Sequence, residues 1–221
     1  MPLIVAGMPA AGTAVVVGCL RACGVRLADG CGGPGRDCGA EPWGWVEPTG
    51  SLAVPLWLAR HPTARVVVCL RNPLEIAVSL HDHHELPLAA GIALWASFID
   101  TILRTTTPAT RIVAHYDAFR RDPEAATARL AATIGLFAPA DPEAVRRTWH
   151  TGRSPRFTAA DLVDCGLSPT VIAAYQALSA EAHHAELPPE PPRPDHALLR
   201  RLAEACRHPV ATAGLTTDVE T

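Results

Sequence analysis

The stretch Pro2-Leu-Ile-Val-Ala-Gly7-Met-Pro9-Ala10-Ala11-Gly12-Thr13-Ala14-Val-Val-Val-Gly-Cys-Leu20 decides how this chain is read. Leu3 to Ala6 is a short apolar run of the kind that forms a buried strand. Gly7 to Thr13 has glycine near both ends and a proline inside, which marks a turn. From about Ala14 to Cys23 the apolar residues continue at helical length. Strand, glycine-bounded loop and helix start together make an anion cradle. The first N–H groups of a helix lack an intrahelical acceptor and point at whatever occupies the loop. Gly7 and Gly12 let the backbone approach a phosphate closely. Thr13 can cap the helix or place its hydroxyl on a phosphate oxygen. One usual component is missing: phosphate loops commonly carry a cation, and this one reads Pro9-Ala10-Ala11.

The bulk composition bounds the answer. A chain of 221 residues with 48% hydrophobic and 19% charged residues is one globular domain of ordinary to large size. A net charge of −3 gives no basic field for nucleic acid. Lysine is absent while Ala, Pro and Arg are plentiful, as in GC-rich, bacterial-type coding. Seven cysteines, an odd number without C-x-x-C spacing, fit a reducing compartment and a cytoplasmic protein. Cys31 and Cys38 are the only pair placed for a bridge. The run Pro2–Leu20 is uncharged and long enough to span a bilayer. No basic residue precedes it, however, and Pro9 and two glycines interrupt it, so no membrane span is expected.

Outward from the first helix, Gly24 to Leu27 reads as a helix stop and a short strand. Residues 28–50 are rich in Gly, Pro and Cys and read as a long loop, carrying Trp43-Gly-Trp45-Val-Glu47. Ser51 to His61 reads as a helix with Ser51 as its N-cap. Ala64 to Leu70 is the clearest strand, apolar and β-branched throughout. It ends in Arg71-Asn72-Pro73, with Pro73 in the first turn of a helix through Leu80. Arg71 thereby sits at the carboxyl end of a parallel strand, where open α/β sheets bind ligands. Ser79 lies about two helical turns further on. His81 to Glu85 reads as a solvated helix end, with metal ligation as the minor alternative. A long helix covers Leu86 to Thr106, with Trp95 and Phe98 in the core. A strand covers Arg111 to Tyr116. Helices follow from Asp122 to Ile134, from Asp141 to about His150 and from Ser168 to Glu186. The predicted architecture is α/β: a small parallel sheet flanked by helices, with a helical C-terminal part. Residues 1–186 form the domain, 187–194 a proline-rich spacer, and 195–221 a last helix with a frayed tail.

Three pieces align in order: the loop at 7–13, the arginine ending a strand, and a serine in the next helix. Together they resemble the sulfotransferase family that uses 3′-phosphoadenosine 5′-phosphosulfate (PAPS), a P-loop NTPase-like fold. Its first motif, G-x-P-[RK]-S/A-G-T-[ST], aligns with Gly7 to Ala14, with Ala10 in place of the cation. Its second, strand–R-[ND]-P-x-[ED]-x-x-x-S, is matched by Arg71-Asn-Pro-Leu-Glu75-Ile-Ala-Val-Ser79. A third stretch is matched by Tyr116-Asp-Ala-Phe119 followed by Asp122-Pro-Glu124. The resemblance covers about Pro2 to Leu136. It implies that Pro9, Ala10, Ala11, Gly12, Thr13 and Ala14 cradle the 5′-phosphosulfate. It implies that Arg71 and Ser79 hold the 3′-phosphate and that Tyr116 packs near the adenine. It further implies that an arginine of the 152–156 loop, Arg153, closes over the nucleotide, that PAPS is the donor substrate, that no metal is needed, and that the acceptor is a small molecule or carbohydrate. The base implied by the family falls between the loop and Arg71. Glu47 is the best candidate; Asp29, Asp37 and Glu41 are weaker, and His81 and His83 are reserves.

The departure is Ala10, where the family has the Lys or Arg that touches the leaving oxygen. Losing such a donor costs on the order of a hundredfold in rate. Arg21 and Arg26 lie too far along to replace it. Three readings stay open: an active sulfotransferase, a relative that binds nucleotide or a partner without turnover, and a P-loop phosphotransferase. The last lacks G-K-[ST] and a clear acidic Mg²⁺ ligand.

Overall fold

The computed structural model describes residues 2–29, 43–47, 52–136, 140–148, 156–184, 194 and 196–207. Its sheet has five parallel strands: β1 (Pro2–Gly7), β2 (Arg26–Asp29), β3 (Trp43–Glu47), β4 (Arg65–Leu70) and β5 (Arg111–His115). Their order is β2-β3-β1-β4-β5. The described helices are α1 (Thr13–Ala22), α2 (Val54–Arg60), α3 (Pro73–His84), α4 (Leu88–Thr105), α5 (Tyr116–Arg121), α6 (Pro123–Ile134), α7 (Pro142–Arg147), α8 (Ala159–Asp164), α9 (Pro169–Glu181) and α10 (His196–Arg207). This is the α/β fold with a small parallel sheet and a helical C-terminal part that the sequence predicts.

β1 and β4 lie at the centre of the sheet, and Leu3–Ala6 and Val66–Leu70 are almost completely buried. A continuous apolar run is what a strand covered on both faces requires. The chain runs from β1 to β2 and β3 on one side, then crosses to β4 and β5 on the other. The carboxyl ends of β3, β1 and β4 therefore face one crevice at the reversal. The uncharged run Pro2–Leu20 is divided among strand, loop and helix, so it is not one apolar helix. Among the described helices only α4 is long and apolar enough to cross a membrane. Its Trp95, Phe98, Ile99 and Ile102 are already buried in the core.

Helix starts follow local chemistry. The Asn72 side chain accepts from the Leu74 N–H at 2.9 Å, with Pro73 in the first turn of α3. Asp122 accepts from the Ala125 N–H at 2.8 Å to open α6. Leu202 of α10 joins the main core. On β5, the Arg111 guanidinium pairs with both carboxylate oxygens of Glu181 at the end of α9. His115 stacks on His184, and burial holds it well below the usual histidine range. Burial, followed by the charges of Arg121 and Arg129, holds His184 at about 4.

Several boundaries differ from expectation. Residues 43–47 are a strand, not part of a loop; five residues flanked by Gly- and Pro-rich sequence carry too little period to declare themselves. α2 begins at Val54 rather than at Ser51, which lies outside the described residues, and Pro55 occupies its first turn. Tyr116 opens α5 instead of ending β5. α8 was not anticipated: Thr158 and Asp161 close a capping box over a short helix. α7 and α9 end at Arg147 and Glu181, earlier than the periodicity implies. The Cys31–Cys38 pair and the proline-rich spacer up to residue 193 lie outside the described residues.

Gly44 makes β3 possible. A Cβ there would sit 2.2 Å from the Leu3 carbonyl oxygen of β1. Gly44→Ala is therefore expected to destabilise the fold by about 1–3 kcal/mol, as overpacking does. Urea unfolding checks this, and an unchanged midpoint would exclude the close approach.

Candidate functional site

Three strand ends converge. In the sheet register Ala6 lies beside Glu47 and Gly7 beside Cys69. The loop after β1 thus emerges with the Glu47 carboxylate on one side and Arg71, two residues past Cys69, on the other.

The loop is tightly turned. The Ala11 N–H donates to the Met8 carbonyl at 3.1 Å, and Ala10 and Gly12 both have left-handed backbones, at φ +68° and +83°. Gly12 is required twice over, because a Cβ there would also come within 2.2 Å of the Tyr116 ring. Gly12 is the N-cap of α1, and its carbonyl accepts from Val15 and Val16. Among the described residues nothing accepts from the N–H groups of Gly12, Thr13 and Ala14. Three amide donors at the positive end of a helix are thus available to an anion. Thr13 does not cap α1. Its hydroxyl is buried over Gly7 and Cys69, facing the sheet. It lies near enough to pull slightly on the Cys69 thiol, which burial pushes up to about 12, yet it has no partner in hydrogen-bond geometry.

Arg71 is buried behind this loop. One terminal nitrogen donates to the Ala10 carbonyl at 2.9 Å, and the other reaches Glu75 at 3.4 Å. The guanidinium lies 4.4 Å over the Tyr116 ring, which supports it by cation–π attraction. Its own carbonyl accepts from the Trp95 indole of α4 at 3.1 Å. The same arginine therefore pins the loop, the aromatic beneath it and the start of α3.

Glu75 is the second hub, and the sequence marks it only as the carboxylate of the R-N-P-x-E stretch. One carboxylate oxygen accepts from the backbone N–H groups of Arg156 and Phe157. The other takes Arg71 and, at 3.5 Å, the Arg156 guanidinium. The Asn72 amide donates to the carbonyls of Phe157 and Thr158 at 3.4 Å. The Asn and Glu of the R-N-P-x-E stretch thus fasten the segment that follows the basic loop. The signal was present in the motif, but its partner lies 81 residues away.

Glu47 ends β3, is buried, and accepts from the Trp57 indole of α2 at 2.7 Å. With Val46 and the loop residues Gly7 to Ala10 and Gly12 to Ala14 it lines a cleft of about 380 Å³. Among the described lining residues it is the only charged one. Among the described residues no cation lines the cleft beside Ala10; Arg21 donates to the Leu27 carbonyl at 3.2 Å, beyond the far end of α1. Ser79 is half-buried two turns along α3. Tyr116 is packed under Arg71 and against Gly12. Arg153 lies outside the described residues, as do Asp37 and Glu41. His81 and His83 fall in the last turn of α3, and the His81 Nδ1 lies 3.0 Å from the Leu86 carbonyl.

No protein-family model and no curated protein matches the sequence. Solved structures do match the fold. Mouse sulfotransferase SULT7A1 complexed with PAP is 14% identical, at a TM-score of 0.51 over 92% of this chain and 88% of that one. A sulfotransferase from Alicyclobacillus acidocaldarius is also 14% identical, at a TM-score of 0.52 over 83% of this chain and 96% of that one. The sulfotransferase domain of the Synechococcus PCC 7002 olefin synthase gives 14% and a TM-score of 0.50, covering 92% and 93%. The chain has a sulfotransferase-like α/β fold.

Breaking a buried, hydrogen-bonded ion pair costs about 3–5 kcal/mol. Glu75→Ala is expected to lose stability on that scale and to raise amide hydrogen exchange at residues 156–158. Wild-type exchange at those amides would show that Glu75 does not hold the segment.

Proposed function

We propose that the chain binds PAPS at this loop and transfers its sulfuryl group to a hydroxyl or amine of a small-molecule or carbohydrate acceptor. The observation that carries the proposal is the juxtaposition of three available amides at the start of α1 with the Arg71 guanidinium behind the same loop. The amides of Gly12, Thr13 and Ala14 suit the 5′-phosphosulfate. Arg71, joined by Ser79, suits the 3′-phosphate, since its planar fork matches a phosphate bidentately. To do so it gives up the long 3.4 Å contact with Glu75. Tyr116 is assigned to the nucleoside side and Arg153 to closing over the nucleotide. Glu47 is assigned as the base. It takes the acceptor's proton as the acceptor oxygen or nitrogen bonds to sulfur. The bond from sulfur to the bridging phosphate oxygen breaks, and 3′-phosphoadenosine 5′-phosphate (PAP) leaves with the electron pair. Trp57 holds the carboxylate in place. A reducing, cytoplasmic setting belongs to the proposal, since Cys19, Cys23, Cys69, Cys165 and Cys206 are free thiols.

Calorimetric titration tests donor binding. PAP is expected to bind about tenfold or more tightly than ATP, and Arg71→Ala to abolish that preference, with Arg71→Lys recovering only part of it. Equal binding of PAP and ATP, or an Arg71→Ala protein that still prefers PAP, would sink the assignment.

A second reading is favoured by one specific observation: among the described residues the cleft wall carries Glu47 and no cation, with Ala10 at the position of the family's Lys or Arg. On that reading the protein binds the nucleotide without efficient turnover. Ala10 already has a left-handed backbone, so a larger residue there adds little new strain. Release of PAP from PAPS, measured with an acceptor panel, separates the readings. An active enzyme loses turnover in Glu47→Gln. A binding protein shows none until Ala10→Arg supplies the cation, with a gain on the order of a hundredfold.

A further inference from the structure

Next to the donor cleft, at the outer edge of the sheet, lies a cluster that sulfuryl transfer does not use. His115 is the last residue of β5, Asp117 is in the first turn of α5, and His184 follows α9. Each offers one ligand atom, and these atoms all lie within 4.8 Å of one another. The two imidazoles stack with centroids 3.7 Å apart and planes at 11°. The His115 Nδ1 is 3.9 Å from the nearer Asp117 carboxylate oxygen, too far for a hydrogen bond. Its Nε2 is 3.3 Å from the Tyr175 hydroxyl of α9. An outward bond from the second ring nitrogen is how metal-binding histidines are typically oriented; here the first nitrogen accepts the Asp117 N–H at 3.3 Å.

We propose that His115 Nδ1, the Asp117 carboxylate and a ring nitrogen of His184 form a zinc site. Two imidazoles and one carboxylate are the N/O donor set that zinc takes, with a fourth position left open. Tetrahedral bonds of about 2.0–2.1 Å require ligand atoms about 3.4 Å apart. Rotation of the half-buried His184 and Asp117 side chains closes the present gap, at the expense of the 3.3 Å contact from the Asp117 N–H to His115 Nδ1. The metal would clip the end of α9 to the junction of β5 and α5. Tyr116, between two of the ligands, carries that restraint to Gly12 and Arg71. The role is structural, and it stands whether or not the cleft binds a nucleotide.

The test uses Zn²⁺ alone on the metal-free full chain, by calorimetry, beside His184→Ala and Asp117→Asn. Circular dichroism establishes that each variant is folded. His184 is half-buried, so its truncation leaves the core intact. The wild type is expected to take one equivalent and to melt at a higher temperature with Zn²⁺. Each variant is expected to bind at least about tenfold more weakly. Because the described cysteines are free thiols, Co²⁺ substitution supplies the second readout. A His/carboxylate site gives d–d bands without thiolate charge transfer. No saturable equivalent, undiminished binding in both variants, or a thiolate-dominated cobalt spectrum would overturn the proposal.

Discussion

Arg71 and Glu75 are buried together one helical turn apart, and the site is arranged around satisfying both. A buried charge is tolerated only when it is paired and hydrogen-bonded. Their mutual contact, at 3.4 Å, is too long to do this alone. Arg71 therefore takes the Ala10 carbonyl and the Tyr116 face, while Glu75 takes the backbone of Arg156 and Phe157. Each of those partners belongs to a different element. The loop after β1, the β5–α5 junction, the start of α3 and the segment before α8 are thereby drawn to one point. A change in either charge would be felt in all four.

The same arrangement leaves the cleft electrostatically unusual. The guanidinium approaches the loop from behind and is directed at its carbonyl. What faces the open cleft is a set of amides with the partial positive charge of a helix start, and opposite them the buried Glu47 carboxylate. The Trp57 indole donates to that carboxylate and holds it on the cleft wall.

Backbone geometry reinforces the electrostatics. Gly12 and Tyr116 are fitted to each other so closely that no side chain can be added at position 12. Tyr116 in turn underlies Arg71, so the conformation of the loop and the orientation of the guanidinium are set by one aromatic ring. His115, the residue before it, faces the opposite way into the α9 contact. The β5–α5 junction thus couples the cleft beside α1 to the outer edge of the sheet.

What the sequence determined by itself is what depends on neighbours in the chain. The buried strands β1 and β4 follow from continuous apolar runs, and the α3 and α6 starts from Asn-Pro and Asp-Pro pairs. The loop follows from its glycines, and Arg71 at a strand end from its position after an apolar run. The strand β3 was not visible, because five residues of Trp, Gly and Val become a strand only when β1 lies beside them. Nor were the Glu75 hub, the Trp57–Glu47 bond or the His115–His184 stack. Each joins residues separated by turns of chain whose path no local preference dictates, and each forms only after packing has excluded water. Tertiary structure alone decided that Thr13 faces the sheet, that Arg71 grips the loop's own carbonyl, and that Glu47 is the one charge described on the cleft wall. For Arg71 and Glu47 the reason is that a polar group that becomes buried must take whatever partner the fold brings within reach, and for Thr13 it is the packing of α1 on the sheet, which buries the hydroxyl over Gly7 and Cys69.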